Sequence, residues 1–96
     1  MHAVVRTYSG PGAKNLFDRL DARKADVESV IRSVSGFVSY SLIRTDFGGI
    51  SVTVCRDSGG TDESIRAARE WIEKNASDIK AAPASISEGP IILQLS

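Results

Sequence analysis

A chain of 96 residues with 42% hydrophobic and 25% charged side chains fits one globular domain, residues 1–96, whose core buries only about two-thirds of the surface its unfolded form exposes. Twelve basic residues balance 12 acidic ones, so the chain offers no electrostatic footprint for nucleic acid or an anionic membrane. A lone Cys55 excludes an internal disulfide, no basic and then apolar leader opens MHAVVRTYSG, and no run of about 18 apolar residues could span a bilayer; together these predict a cytoplasmic address.

His2 to Tyr8, HAVVRTY, is rich in β-branched and aromatic residues and predicts a first strand. If Ala3, Val5 and Thr7 face the core, then His2, Val4, Arg6 and Tyr8 face the opposite side. SGPG breaks the strand, with Ser9 or Gly10 as helix cap and Pro11 suited to the first helical position. From there Ala13, Leu16, Phe17, Leu20, Val27, Val30, Ile31 and Val34 recur at the spacing of an amphipathic helix. Arg23 and Lys24 interrupt the stripe, where a bend is expected. Gly36 sits where a left-handed residue ends a helix.

Gly36 to Arg56, GFVSYSLIRTDFGGISVTVCR, reads as a long β-hairpin. Val38, Tyr40 and Leu42, then Ile50, Val52 and Val54, are expected on a core-facing side. Phe37, Ser39, Ser41 and Ile43, then Ser51, Thr53 and Cys55, fall on the other, with no Lys, Glu or Asp among them. A sheet face open to water would normally carry charge, so this hydroxyl-rich face predicts a covered, partly polar cavity. Pairing Leu42 with Val52 and Tyr40 with Val54 leaves Asp46, Phe47 and Gly48 as the loop, with Gly48 at positive φ. Phe47 at that tip either folds back onto the sheet or meets a partner chain.

DSGG leads into a second helix, expected to be capped by Thr61, with Asp62 and Glu63 complementing its dipole. Ile65, Ala68, Ile72, Ala76 and Ile79 form its stripe, and Trp71 lies about a quarter turn off it. Prolines and alanines around Ala81 to Ala84 break the helix. Ser85 to Leu95 is expected as a last strand with Ile91, Leu93 and Leu95 on one face, and Pro90 marks an edge or a bulge. The order β-α-β-β-α-β predicts an α+β, ferredoxin-like sandwich, a four-stranded antiparallel sheet with its helices on one face. A second copy is the simplest cover for the other face, by two-fold pairing.

Several features carry less chemistry than they first suggest. SGPGAKN matches neither GxGxxG, which needs Gly where Asn15 stands, nor the P-loop. DSGGTDES would repel phosphate through Asp57, Asp62 and Glu63. His2, the single histidine, makes neither a triad nor a metal site alone. Cys55 reads as a packed, unreactive thiol.

GFVSYSLIR (Gly36 to Arg44), GGISVTVC (Gly48 to Cys55) and GTDESIRAAREWIEKN (Gly60 to Asn75) resemble the antibiotic-biosynthesis-monooxygenase-like (ABM-like) family of dimeric α/β barrels, and the likeness runs from the first strand to EGPIILQL. The resemblance implies a homodimer in which two sheets pack face to face, with pockets between each sheet and its helices or between the subunits. Family members include cofactor-free oxygenases of polycyclic phenols or quinols and haem-degrading enzymes. The haem degraders carry an Asn on the first strand, a Trp on the second helix and an iron-binding His further along that helix. Trp71 fits the Trp position, but the first strand offers Arg6 and Tyr8 instead of Asn, and no His follows Trp71. The iron would therefore lack an axial imidazole, and no cofactor is expected.

Arg6, Tyr8, Ser39, Ser41, Ser51 and Thr53, with Phe37 and Trp71, form the candidate pocket lining. Their rings would hold an aromatic ligand while the hydroxyls and Arg6 orient its oxygens, and Tyr8 or Tyr40 would serve as a hydrogen-bond partner. The expected function is a small homodimeric ABM-like protein acting as a cofactor-independent monooxygenase on a small aromatic or polyketide-like compound. The alternative is a module that binds a small ligand, or simply assembles, without turnover; haem binding or degradation, which the family resemblance raises, is a third and minor one.

Overall fold

In the computed structural model, which describes all 96 residues, four antiparallel strands lie in the order β2-β3-β1-β4. The elements are β1 (His2–Ser9), α1 (Ala13–Ala22), α2 (Lys24–Arg32), β2 (Phe37–Thr45), β3 (Gly48–Cys55), α3 (Ser58–Asn75) and β4 (Ser85–Pro90). This is the predicted α+β, ferredoxin-like order, with its first helix broken at Arg23 (φ −119°, ψ 33°), where the apolar stripe pauses.

Both helix starts differ from expectation. Gly12, in the left-handed region at φ 84°, precedes α1 in place of Ser9 or Gly10. At α3 the cap is Asp57, whose carboxylate accepts the Gly60 N–H at 3.2 Å; Thr61, expected there, is buried inside the helix and donates its hydroxyl to the Ser58 carbonyl. Gly36 takes the left-handed turn as predicted (φ 69°).

The hairpin register is one residue away from the predicted one. Thr45 pairs with Gly48, so the loop is only Asp46 and Phe47; Leu42 faces Ser51 instead of Val52, and Tyr40 faces Thr53 instead of Val54. A bulge at Val38 then lets Phe37 face Cys55. A one-residue slip exchanges the faces of a strand, and it does so here for β3 and β1. Val4, Arg6, Tyr8, Ser51, Thr53 and Cys55 lie under the chain's own helices, all buried, and Ala3, Val5, Ile50 and Val52 lie on the uncovered face. On β2 the expectation holds for Tyr40 and Leu42 beneath the helices and for Ser39, Ser41 and Ile43 on the other side.

The physical reason is the closeness of the helices. Small side chains on β3 sit where helices press down: the Phe17 ring occupies the space above Gly49, and α3 approaches Cys55 through Gly60. Gly48, read from sequence as a loop residue, instead begins the strand, because a Cβ there would come within 2.5 Å of the Tyr8 carbonyl oxygen. A methyl on Gly49 would lie 2.2 Å from the Phe17 ring, which is itself buried and packed edge-on against Tyr8 at 5.7 Å. Gly49→Ala is therefore expected to cost about 1–3 kcal/mol through overpacking. Urea denaturation measures this, and an unmoved midpoint would contradict the register.

The core gathers Leu16, Phe17 and Leu20 from α1, Val27 and Ile31 from α2, and Trp71 and Ala76 from the second half of the chain. Trp71, expected off the α3 stripe, is buried at 7% exposure, whereas Ile65, Ala68 and Ile72 are only half-buried. The last strand stops at Pro90 and does not reach Leu95. Ile91 still donates its N–H to the Met1 carbonyl at 2.9 Å, but Ile92, Leu93 and Leu95 are 96%, 73% and 84% exposed. His2 belongs to β1, with its ring nitrogen 3.3 Å from the Glu88 carboxylate of β4. No helix is long and apolar enough to cross a membrane.

Candidate functional site

Beneath the sheet the strands and helices leave a narrow cavity of about 20 Å³, room for about one water molecule, which opens into wider space of about 340 Å³ on the α3 side and about 420 Å³ on the β2 side. β1 contributes Arg6 and Tyr8, β2 Tyr40 and Leu42, β3 Ser51 and α3 Trp71. The facing wall is aliphatic: Leu20 of α1, and Val27, Val30 and Ile31 of α2. The alternation of β1 places Arg6 and Tyr8 on one side of the strand, and the helical spacing of α2 turns Val27 and Ile31 towards them.

Arg6 is 3% exposed, and its Nε–H donates to the Ser51 hydroxyl oxygen at 2.9 Å. Every ion pair in the protein lies elsewhere, in pairs such as Arg44 with Asp18 and Arg19 with Asp78, so this buried guanidinium faces no carboxylate. The other polar neighbours are phenols. Burial pushes the Tyr40 hydroxyl above the ordinary tyrosine value, while the charge and a weaker contact of Arg6 pull the other way. Tyr40 therefore remains a neutral donor at neutral pH. Over Trp71, on the outer side, the Arg23 guanidinium sits 5.9 Å from the ring.

The cavity continues in two directions. Arg6, Tyr8 and Ile72 also wall a wider space towards α3 and β4, where Arg69, Glu73 and Ile86 stand. Tyr40, Leu42, Val27 and Ile31 wall another towards the β2 edge, which Phe37 and Arg32 border, the guanidinium 5.8 Å above the ring.

Of the residues singled out from sequence, Arg6, Tyr8, Ser51 and Trp71 meet in one cavity and Phe37 stands at its β2-side extension. Ser39 and Ser41 are exposed on the opposite sheet face and line no part of it. Thr53 is fully buried beneath the helices, outside the cavity lining, and its hydroxyl has no hydrogen-bond partner. The site therefore lies between the sheet and its own helices instead of on the open face. Periodicity places Tyr40, Val27 and Ile31 on core-facing stripes, and of these only Tyr40 is also expected as a ligand's hydrogen-bond partner; nothing in the sequence separates a core stripe from a cavity wall. Cys55 is buried against α3, and burial together with Asp57 and Glu63 raises its pKa, so it stays a thiol.

Solved structures share this architecture. A protein of unknown function from Nitrosomonas europaea superposes with a TM-score of 0.68 at 16% identity, over 99% of this chain and 91% of that one. The heme degrader MhuD from Mycobacterium tuberculosis, with two hemes bound, gives 0.57 at 19% identity over the whole of both chains. SnoaB, a cofactor-independent oxygenase from Streptomyces nogalater, gives 0.53 at 18% identity, over 98% of this chain and 93% of that one. The chain has the ABM-like fold. Identities this low carry fold alone, and neither a family model nor a curated protein matches the sequence.

Among the groups that ABM-like folds can hold, haem does not suit this cavity. Its lining has no imidazole or thiolate, His2 lies at the β1–β4 edge beside Glu88, and the Tyr40 phenol is held protonated by burial. No cluster of His, Cys, Asp and Glu with metal-ligand proximity exists.

Proposed function

We propose that this protein is a homodimer that takes a small aromatic or polyketide-like phenol into the cavity beneath its sheet and oxidises it with dioxygen, without a cofactor. The observation that carries this reading is the lining itself: the rings of Tyr8, Tyr40 and Trp71 and an aliphatic wall surround a single buried polar pair, Arg6 and Ser51, and Arg6 and Tyr8 also wall an adjoining space of about 340 Å³, large enough for a small ring system. The rings and Leu/Val/Ile side chains would hold a planar apolar body, and the polar pair with Tyr40 would fix the position of its oxygens. For an anthrone, the methylene carbon gives up both hydrogens, which leave with one oxygen atom as water. The second oxygen becomes the new carbonyl, and the substrate supplies all four electrons that dioxygen accepts. The residues then need only bind, orient and keep water from the reactive anion.

The uncovered sheet face supports the homodimer. Ala3, Val5, Thr7, Ser39, Ser41, Ile43, Ile50, Val52, Val54, Ser85 and Ser87 stand on it without one charged side chain. An exposed antiparallel face would ordinarily carry charge, and a second copy laid against this one would bury its Val and Ile side chains.

Oxygen uptake with a panel of anthrones and hydroquinones tests the oxidase. Uptake above that of an Arg6→Ala, Tyr8→Phe double variant is expected. A second reading, binding without turnover, is favoured by the lack of any carboxylate, imidazole or thiol in the lining that could act as a base near neutral pH. Ligand-induced thermal stabilisation with no uptake would decide for it.

A further inference from the structure

We infer that the ligand is bound as an oxyanion, its charged oxygen against the guanidinium of Arg6. This rests on the reading of the cavity beneath the sheet as the ligand site, and adds the chemistry of what that site selects.

Arg6 is 97% buried on a central strand, yet its one side-chain hydrogen bond of normal length is from Nε to Ser51. A guanidinium carries five N–H donors and a fixed positive charge, and beyond Ser51 those of Arg6 meet the Tyr40 phenol and open space, with no carboxylate among their partners. Every wall of the cavity is accounted for. α1, α2 and α3 present only aliphatic side chains and the Trp71 indole; β1 and β2 present the phenols of Tyr8 and Tyr40 and the apolar Leu42; β3 presents Ser51. Acids stand only on the bordering spaces: exposed Glu73 of α3, accompanied by Arg69 of the same helix, and exposed Glu28 of α2, paired with Arg32. A cation buried without a counter-charge is among the costliest arrangements a fold can hold, and natural chains resolve it by pairing. Here the unfilled space beside the charge is the narrow cavity together with the wider space of about 340 Å³ that Arg6 and Tyr8 also wall.

The surroundings fit an aromatic oxyanion better than an inorganic one. Apart from Arg6, Ser51 and the two phenol groups, the lining is apolar, so a phosphate would leave most of its oxygens without donors, whereas a phenolate or enolate presents one charged oxygen and a ring. Bound this way, a phenol releases its proton to water or buffer through the mouth, and Arg6 does by charge what a general base would do by proton transfer. No carboxylate or imidazole in the lining is then needed for ionisation.

The probe for this is 4-nitrophenol, whose anion is coloured and which dioxygen does not oxidise, with 4-nitroanisole as the ether that cannot ionise. The wild-type protein is expected to lower the apparent pKa of the bound phenol by about one to three units and to bind it at least about tenfold more tightly than the ether at neutral pH. Arg6→Met should abolish both effects, and Arg6→Lys should retain part of the pKa shift because it keeps the charge. An unshifted pKa in the wild type, or the same shift in Arg6→Met with native circular dichroism, overturns the inference while leaving a neutral-ligand site standing. If neither probe binds, the cavity is not a ligand site and both readings fall. Anion binding with no oxygen uptake on any substrate sinks only the oxidase.

Discussion

Ligand-free Arg6→Met is expected to be more stable than the wild-type protein. Met fills a similar volume with an apolar stem, and removing a buried unpaired charge in favour of a well-packed hydrophobe gains about 1–4 kcal/mol in comparable settings. Ser51 loses the donor at 2.9 Å, which offsets about 1 kcal/mol of that. The net should appear as a rise of several degrees in Tm, since ~1 kcal/mol moves a domain of this size by about 4–8 °C. Scanning calorimetry of both proteins, without ligand, is the measurement. A variant that melts lower would mean the guanidinium is anchored structurally. A gain in stability coupled to a loss of anion affinity is the signature of a group kept for function at the expense of the fold.

Val52→Asp should turn the proposed dimer into a monomer. Val52 stands between Val5 of β1 and Ser41 of β2 on the uncharged face, so the new carboxylate would be trapped between two sheets without a cation on either. Several kcal/mol of desolvation on each of two symmetry-related sites weakens association by at least about a hundredfold. Sedimentation velocity would read the change, with far-UV circular dichroism unaltered. The next residue behaves oppositely: Thr53 is fully buried beneath the helices, and Thr53→Asp should unfold the chain outright. If Val52→Asp remains dimeric, the sheet face is not the contact.

The same two neighbouring residues show what the sequence could and could not reveal. Element order, the break at Arg23 and the antiparallel sheet were legible because periodicity and turn residues are local signals. The face assignment was not, because it hung on one residue in a hairpin whose turn chemistry, TDFGG, admits two loop lengths. Assigning the larger side chains of β3 to the core is the usual rule, and it fails here because Gly49, Ser51 and Cys55 lie where Phe17 and Gly60 come close. The uncovered sheet face is still free of charge, though its side chains are a different set on β1 and β3. Arg6, Tyr8 and Ser51 were singled out as a constellation although their side of the sheet was misjudged, since β1 and β3 were exchanged together. Tyr40, expected as a hydrogen-bond partner for a ligand, stands outside the expected lining because an aromatic among aliphatic neighbours reads as packing, and the unbalanced charge beside it marks the place as more than that.

β1 is held between β3 and β4 with Val4, Arg6 and Tyr8 to one side and Ala3, Val5 and Thr7 to the other. Losing or gaining one amino acid inside that strand would send the cation to the uncovered sheet face and a valine to the cavity in a single step. Substitutions along it can be absorbed one at a time, but frame changes cannot, so descendants of this chain should vary in length at exposed tips such as Asp46 and Phe47 and keep the count between His2 and Ser9 fixed.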